Sequence, residues 1–381
     1  MIHRRTLLAG IAGFLATAAG LFSGTASAQA AQPITIGVGA PFTGSSAHFG
    51  VQIRLGIEQA LREINAAGGI NGRPLRLQVE DDAGSQTEAN KVALKLAGNP
   101  EVVAIVGHFN SSCSLAARGI YRDAGLLMFS PGSTNATVTL EHPNVFRNIF
   151  TDAFQGQSLA ELVRERMNFE RVAIIHENDD YGRGLSDFFV ERAGQIGLNV
   201  VDRKSYDRDT TDFRPTLQAM VQRRPQAIVI GGLYHQAGLI ARQAREQGIN
   251  LPIIASDGVF SDRYIEIAGP AAEGTLISTA FLFDDEDERA MAFFNAVKEA
   301  SGQEPDAWAA LSYDAVMMVA EAIRQVGPDR RAIMAHMASI TTEEAAFDGL
   351  TGRTFFDANG DSVKGVYIAE VRDGRFRKSR Y

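Results

Sequence analysis

Hydroxyl groups, backbone amides and carboxylates recur in six short segments, each following an apolar run typical of a buried strand. Hydroxyls and the N–H groups at helix starts bind anions, whereas the carboxylates of Asp179, Asp180 and Asp257 can pair with a cation. Ligands of parallel sheets bind beyond the carboxyl ends of the strands, so these segments are candidate ligand-binding loops, and nothing in them requires catalysis. They are 40–49, 108–114, 130–135, 177–182, 233–236 and 256–260.

Common enzyme signatures do not occur in the sequence. The glycines of 37–44 follow a strand, but their spacing fits neither a dinucleotide-binding loop nor a P-loop. There is no G-x-S-x-G elbow, no HExxH among the seven histidines, and the single cysteine excludes a CxxC site. Residues 357–361 have calcium-loop spacing but lack the required glycine and final glutamate. The sequence therefore predicts no metal site, no cofactor and no enzyme.

Size and charge narrow the class of protein further. The chain has 381 residues, a formal net charge of -8, 45% hydrophobic residues and 22% charged residues. That length suggests about two domains of roughly 150 residues each, and the apolar share excludes wholesale disorder. The acidic balance argues against nucleic acid as the main partner, because binding its backbone needs a basic face.

The first residues are typical of an export signal. Arg4 and Arg5 precede an uncharged apolar run, 7–22, and Ala26–Ala28 offers an A-x-A cleavage site. The paired arginines resemble a twin-arginine signal, but an ordinary secretion signal and a membrane anchor remain alternatives. The only cysteine, Cys113, is far from the cleavage site, so no lipid anchor is expected. We expect residues 1–28 to be removed and the mature chain to be periplasmic.

Strand and helix patterns alternate along the remaining chain. Apolar strand-like runs separated by helical periodicity imply a mostly parallel, doubly wound sheet. The pattern restarts after about residue 150, which predicts two α/β units, followed by two long helices over 286–301 and 307–326 and a terminal strand over 365–371. The predicted strands of the two units are 34–39, 75–79, 102–107 and 126–129, then 172–175, 200–201, 227–230 and 253–255.

Several of these loops together resemble the periplasmic leucine/isoleucine/valine-binding proteins, the substrate-binding components of branched-chain amino-acid ABC transporters. The resemblance extends from Ile34 to the terminal strand. Each motif is weak alone, but together they occur in the family's order and spacing. They are 65–72 (NAAGGING), 80–83 (EDDA), 107–108 (GH), 130–135 (SPGSTN), 181–182 (YG), 242–245 (RQAR) and 272–274 (AEG).

The resemblance implies a type I periplasmic binding protein fold, in which two Rossmann-like lobes are joined by a hinge of three chain crossings. It implies a first ligand-binding lobe of residues 33–150 with 282–355. The second lobe would comprise residues 151–281 with 356–381. A ligand would be clamped between the two lobes.

The resemblance also implies where the ligand's α-carboxylate binds. The family uses a serine after Gly-His together with the Ser-Pro-Gly loop, and the corresponding positions are Ser111, Gly132, Ser133 and Thr134. The alternative for Ser111 is that it only caps the following helix.

For the α-ammonium group, the family uses an acid of the second lobe and a tyrosine before glycine, which correspond to Asp257 and Tyr181. The acid is more often Glu in leucine-type members, so Asp257 is a shorter arm. The alternative is that Asp257 only forms a turn.

Aromatic walls of the family's pocket correspond to Phe49 and Trp308. The alternative for Trp308 is that it is a core residue. Leu233 stands where members place a pocket tyrosine, and Tyr234 follows it. Because of this departure, the resemblance does not determine which side chain the ligand carries. The family's early disulfide is also absent, so Cys113 is expected to be a buried free thiol.

The function implied is capture of an amino acid, branched-chain, aliphatic or aromatic, and its delivery to an ABC permease by a monomer without a membrane anchor. A second hypothesis keeps the fold but binds an amide, a urea-type compound or an aromatic carboxylate, and the leucine at position 233 motivates it. A third is an exported serine hydrolase, for which His108 near Ser111 is the only hint.

Overall fold

The computed structural model describes residues 32–381, so the predicted signal peptide, residues 1–28, lies outside the described residues. Strands and helices alternate over most of this range. The strands are β1 (Ile34–Ala40), β2 (Leu75–Asp81), β3 (Val102–Gly107), β4 (Leu127–Ser130), β5 (Val145–Arg147), β6 (Arg171–Glu177), β7 (Asn199–Tyr206), β8 (Ala227–Gly231), β9 (Ile253–Ala255), β10 (Leu276–Thr279), β11 (Phe347–Gly349), β12 (Gly352–Thr354), β13 (Tyr367–Arg372) and β14 (Arg375–Lys378). The helices are α1 (Ala47–Ala66), α2 (Gln86–Ala97), α3 (Ser111–Asp123), α4 (Asp152–Glu161), α5 (Asp180–Gln195), α6 (Arg214–Val221), α7 (Tyr234–Glu246), α8 (Asp262–Ala268), α9 (Glu288–Ser301), α10 (Ala307–Val326) and α11 (Arg330–Ser339).

The strands form two separate main sheets. The first has the order β2-β1-β3-β4-β5 and is parallel throughout. The second has the order β14-β13-β10-β9-β8-β6-β7; β6 to β10 run parallel, and β13 and β14 extend its edge as an antiparallel pair. Both sheets thus contain the doubly wound strand order 2-1-3-4-5. In this order the chain starts at an inner strand and adds strands first on one side of it and then on the other, so the strand order reverses beside the first strand. The α/β fold of two doubly wound units is confirmed.

The chain passes between the two sheets three times: between β5 and α4, between β10 and α9, and between β12 and β13. After the second crossing, α9, α10 and α11 return to pack against α1, β3 and β4. We call the five-stranded sheet with its helices the first lobe and the seven-stranded sheet with its helices the second lobe. The residue ranges given above for the lobes remain a prediction.

Helices α1 and α10 pack closely in the first lobe, and each carries one of the predicted aromatic residues. Apolar residues at helical spacing give α1 its buried face. The side chain of Asp306 accepts hydrogen bonds from the backbone N–H groups of Trp308 and Ala309 and so caps α10. Where the helices cross, a Cβ atom added at Gly56 would lie 2.0 Å from the carbonyl oxygen of Ala309. A glycine is therefore required at this contact.

Arg147 connects the candidate ligand-binding loop after β4 to the third chain crossing, between β12 and β13. Its side chain is fully buried, and its Nη1 donates to the carbonyl oxygens of Ser133 at 2.7 Å and Asn135 at 3.0 Å. Its Nε lies 2.6 Å from Oδ1 of Asp361, in the segment between β12 and β13. A buried arginine needs such partners, and they fix the loop after β4 in place. Asp361 is thus part of an ion pair, in the segment whose spacing is that of a calcium loop.

The helix crossing gives a stability prediction with an internal control. We expect Gly56→Ala to lower the free energy of unfolding by about 1–3 kcal/mol, because the new methyl group overpacks the α1–α10 contact. At Gly119 in α3, nothing lies within 4 Å of an added Cβ. Gly119→Ala should therefore leave the stability unchanged or raise it by up to about 1 kcal/mol through helix propensity. Urea unfolding of the three proteins measures both effects, and equal stabilities would contradict the close contact.

Candidate functional site

A small cavity lies between the two lobes, at the carboxyl ends of the strands. Its volume is about 20 Å³, which is room for about one water molecule. Five of the nine residues predicted from the sequence line it. The full lining is Phe109, Asn110, Ser111, Gly132, Asp179, Tyr181, Leu233, Asp257, Gly258 and Trp308.

The other four predicted residues lie close by but behind the lining. Phe49 stacks on Phe109 with a centroid distance of 4.3 Å. The hydroxyl of Ser133 bonds to the hydroxyl of Ser114 and to the carbonyl oxygen of Phe109, so it points into the first lobe. Thr134 is buried, and the hydroxyl of Tyr234 donates to the carbonyl oxygen of Ser45 at 2.9 Å. Direct ligand contact by these four residues stays a prediction.

The first-lobe wall offers neutral donors rather than charged ones. Ser111 begins α3, where the backbone N–H groups of a helix have no intrahelical acceptor. Asn110, not Ser111, occupies the N-cap position, and the Ser111 hydroxyl accepts a hydrogen bond from the backbone N–H of Asn135 at 3.2 Å. The hydroxyl proton of Ser111 is thereby available to a further acceptor, and the partial positive charge of the helix start favours an anion here.

His108 organises the loops of this wall. Its Nδ1 lies 2.6 Å from Oδ2 of Asp82 and its Nε2 lies 3.1 Å from the hydroxyl of Tyr121, and all three side chains are buried. The carbonyl oxygen of His108 accepts hydrogen bonds from the hydroxyls of three serines, Ser114, Ser130 and Ser133. Both ring nitrogens are thus engaged away from Ser111. The proximity of His108 and Ser111 in sequence has a structural explanation, and it does not form a nucleophile–base pair.

On the second-lobe wall, a tyrosine and an aspartate form one hydrogen-bonded unit. The hydroxyl of Tyr181 donates to Oδ1 of Asp257 at 2.5 Å, and the backbone N–H of Gly258 donates to the same hydroxyl at 3.2 Å. Asp257 begins a short 3-10 turn after β9, so it serves the turn and also lines the cavity. A Cβ added at Gly258 would lie 2.6 Å from the carbonyl oxygen of Gly232, which explains the glycine beside Tyr181.

The charge of Asp257 has no cationic partner among residues 32–381, although only 2% of its surface is exposed. Burial raises the pKa of Asp257, and the hydrogen bond from Tyr181 opposes that rise. By contrast, the other acid of the cavity, Asp179, pairs with Arg208 at 3.0 Å. A cation placed in the cavity beside Asp257 would compensate the unfavourable buried charge of its carboxylate.

A second buried carboxyl, Asp152 at the start of α4, faces the same region. Burial and the neighbouring charge of Asp257 raise the pKa of Asp152 well above its ordinary value. Burial and the carboxylate of Asp257 likewise raise the pKa of the Tyr181 phenol, so it stays a hydrogen-bond donor. The charge of Asp257 thus acts on both neighbouring groups, and the same charge favours a cationic group on the second-lobe side of the cavity.

Apolar and aromatic side chains form the rest of the cavity. Trp308 is 3% exposed and meets Phe109 edge to face at a centroid distance of 4.9 Å. The indole Nε1 of Trp308 donates to the carbonyl oxygen of Phe260 in the second lobe at 3.0 Å. Leu233 completes this part from the second lobe. Trp308 is thus both a core residue and a cavity wall, and the surface suits an uncharged side chain.

Five lining residues were not predicted as site residues: Phe109, Asn110, Asp179, Leu233 and Gly258. All five belong to the loops singled out in the sequence, and the strand-end rule identified those loops correctly. Phe109 and Leu233 are apolar residues whose place in the cavity depends on how the lobes meet. Asp179 had a signal, since an acid followed by helical periodicity is typical of an N-cap, and its Oδ1 does accept from the backbone N–H of Gly182.

Within residues 32–381, no cluster of His, Cys, Asp and Glu side chains has the arrangement of a metal site. None of the helices in that range combines the length and the apolar character that crossing a membrane requires. Cys113 is a buried free thiol, and burial raises its pKa, so it is unreactive at neutral pH.

Comparisons with known proteins agree with this geometry. The family model described as periplasmic binding protein matches residues 33–375. The Leu/Ile/Val-binding protein homolog 2 of Brucella abortus is 34% identical over 350 residues, which cover 91% of this chain and 93% of that protein.

Solved structures share the fold. The branched-chain amino acid transporter substrate binding protein LivJ of Streptococcus pneumoniae, in complex with isoleucine, aligns with a TM-score of 0.85 and 31% identity, over 91% of this chain and 98% of that one. A solute binding protein of an ABC transporter from R. palustris, in complex with benzoate, aligns with a TM-score of 0.82 over 91% and 95% of the two chains, but its 20% identity shows the fold alone. The expected family and the type I fold are confirmed, and the chain belongs to the periplasmic binding protein family.

Proposed function

We propose that this protein captures a branched-chain or similar aliphatic amino acid between its lobes and delivers it to an ABC permease. The observation that carries the proposal is the buried carboxylate of Asp257, which lines the cavity and has no cationic partner in residues 32–381. The other acid of the lining, Asp179, is already paired with Arg208, and the remaining lining residues are uncharged. An α-ammonium group supplies the missing charge. The relatives named above, which bind such amino acids by their printed names, support this choice of ligand.

Each end of a zwitterion has a complementary wall. In the proposed complex, Asp257 accepts hydrogen bonds from the ammonium group, and Tyr181 holds the carboxylate of Asp257 in position. The ligand's carboxylate accepts from the Ser111 hydroxyl and from backbone N–H groups at the start of α3 and near Gly132. The side chain then packs on Trp308, Phe109 and Leu233. Thr134, Ser133, Phe49 and Tyr234 lie beside these groups, and the proposal includes their contact with the ligand once the cavity has widened around it.

Capture requires the lobes to move. The cavity volume of about 20 Å³ is too small for an amino acid, so the ligand must enter while the walls are further apart. The groups that donate hydrogen bonds to the ligand's carboxylate belong to the first lobe, and Asp257 belongs to the second lobe. Only a closed arrangement therefore contacts both ends of the ligand. Binding therefore shifts the equilibrium of the three-crossing hinge toward closure. In this proposal the permease recognises the closed form.

The proposal also includes export to the periplasm, by the general or the twin-arginine route, and a monomeric mature protein. Arg4, Arg5 and Ala26–Ala28 motivate the export step. N-terminal sequencing of the exported form tests it: a start near Gln29 is expected, and a start at Met1 would contradict it.

A ligand without an ammonium group is the second candidate. Leu233 lines the cavity at the position where the resemblance implies a tyrosine, so the second lobe offers one polar group fewer than the resemblance implies. An amide, a urea-type compound or an aromatic carboxylate would leave the charge of Asp257 uncompensated. The two candidates therefore differ in how strongly binding depends on Asp257.

Substitution of Asp257 separates them. We expect Asp257→Ala to weaken leucine binding by roughly 2–5 kcal/mol, because it leaves the buried ammonium group unpaired. Asp257→Asn retains a hydrogen-bond acceptor without the charge and should fall between the wild type and the alanine variant. Titration calorimetry measures the affinities. Asp187→Ala, at an exposed position of α5, is the control and should bind like the wild type.

Thermal melts confirm that each variant is folded before its affinity is interpreted. Wild-type affinity in a folded Asp257→Ala protein would exclude the ammonium role and favour the uncharged ligand. If the wild type binds none of leucine, isoleucine and valine, the aliphatic assignment is wrong.

The same contact makes binding depend on pH. Burial raises the pKa of Asp257 in the ligand-free protein, and a neighbouring ammonium group lowers it again. The ligand therefore prefers the deprotonated carboxylate, so its affinity should fall as the pH is lowered through the raised pKa of Asp257 and should level off above that pKa. Calorimetry in buffers of different ionisation enthalpy detects the released proton. A wild-type pH profile identical to that of Asp257→Asn would contradict the direct contact.

A further inference from the structure

Two charged residues of the second lobe reach the first lobe outside the ligand cavity. They are Asp180, the first residue of α5, and Arg208, in the loop after β7. Their partners in the first lobe are Gly84 and Gln86 near the start of α2 and Ser112 in α3. We call these five residues the cleft-mouth latch. They border one depression at the entrance between the lobes, and none of them lines the ligand cavity.

Asp180 makes the most contacts across this entrance. Its carboxylate accepts a hydrogen bond from the Ser112 hydroxyl at 2.6 Å and another from Nε2 of Gln86 at 3.2 Å. Its backbone carbonyl oxygen accepts from Nδ2 of Asn135 at 2.6 Å. Hydrogen bonds to a charged acceptor are stronger than neutral ones, and the 30% exposure of the Asp180 side chain leaves them partly screened.

Arg208 spans the entrance from a fixed position. Within its own lobe, its Nε lies 2.5 Å from Glu177 and its Nη2 lies 3.0 Å from Asp179. The remaining Nη1 donates across the cleft to the carbonyl oxygen of Gly84 at 3.0 Å. The guanidinium group is planar and rigid, so the two carboxylates orient its third nitrogen toward the first lobe.

We propose that the cleft-mouth latch stabilises the closed arrangement whether or not a ligand is present, and so sets the overall affinity without selecting among ligands. The inference rests on the proposed function for its choice of ligands. Apparent affinity is the intrinsic affinity multiplied by the fraction of protein in the binding-competent state. In this proposal the competent state is the closed arrangement with its cavity widened around the ligand while the contacts at the entrance are kept. A contact that forms only on closure changes the fraction of protein in the closed arrangement and therefore scales the affinity for every ligand by the same factor.

Asp180 and Ser112 provide the test, because removing Arg208 would leave the buried Glu177 and its neighbour Asp179 without their cation. We expect Asp180→Ala to weaken binding of leucine, isoleucine and valine by one common factor of about 5 to 20. Ser112→Ala, which removes one partner from the opposite lobe, should give a smaller common factor. The double variant should lose less than the product of the two factors, because the two side chains share one hydrogen bond.

Two further variants complete the design. Asp180→Asn keeps an acceptor for Ser112 and should recover part of the affinity. Asp187→Ala removes an acid from the same helix that pairs only within its lobe, with Arg203, and should leave the affinity unchanged. Factors that differ among the three ligands would overturn the proposal, because Asp180 would then act in the ligand site. Unchanged affinity in both Asp180→Ala and Ser112→Ala would overturn it as well.

The ligand-free protein separates failure of the latch from failure of the proposed function. Trp308 is the only tryptophan, and its indole group is bonded to the second lobe at Phe260, so its fluorescence reports opening. If the wild type binds none of the three amino acids, the proposed function fails and this comparison decides the latch alone. Asp180→Ala should then show red-shifted emission and a larger radius of gyration than Asp187→Ala. Identical values for these two variants would overturn the latch.

Discussion

The proposed site depends on Asp257, a carboxylate that is buried between the two lobes and has no cationic partner within the described residues 32–381. Asp257 is 2% exposed, and its nearest polar partner is the neutral phenol of Tyr181. Burial of an uncompensated charge is unfavourable, so the arrangement is incomplete without a positive group from outside the chain. In the proposed function, a ligand that supplies a positive group stabilises the closed lobes, so that one interaction accounts for both recognition and closure.

The first lobe supplies the other half of the site as a fixed surface. His108 and Arg147 are both fully buried, and each uses its hydrogen bonds to hold backbone or hydroxyl groups of the loops after β3 and β4. The ion pair between Arg147 and Asp361 also ties this surface to the third crossing. Donors that are held in place before binding lose little entropy when an anion arrives. Closure can then bring the second lobe to a surface that is already ordered.

Local patterns in the sequence were sufficient for the doubly wound sheets but not for every element. The short strand β10 and helices α8 and α11 were not predicted. The β13–β14 hairpin did have a signal in the sequence, the dipeptide Asp373-Gly374, which favours a type I′ turn. Both residues have the positive φ that such a turn requires. Asp257 and the position of Leu233 were identified through the resemblance to the family, whereas nothing distinguished Phe109 within its loop, because the packing of the two lobes places it in the cavity.

A crystal structure of the protein grown with isoleucine would show directly whether Asp257 pairs with the ammonium group of the ligand. We expect one isoleucine molecule between the lobes, with its ammonium nitrogen about 3 Å from the carboxylate of Asp257 and its own carboxylate at Ser111 and the start of α3. A ligand bound in the opposite orientation, or one whose ammonium group is paired elsewhere while Asp257 remains unpaired, would contradict it.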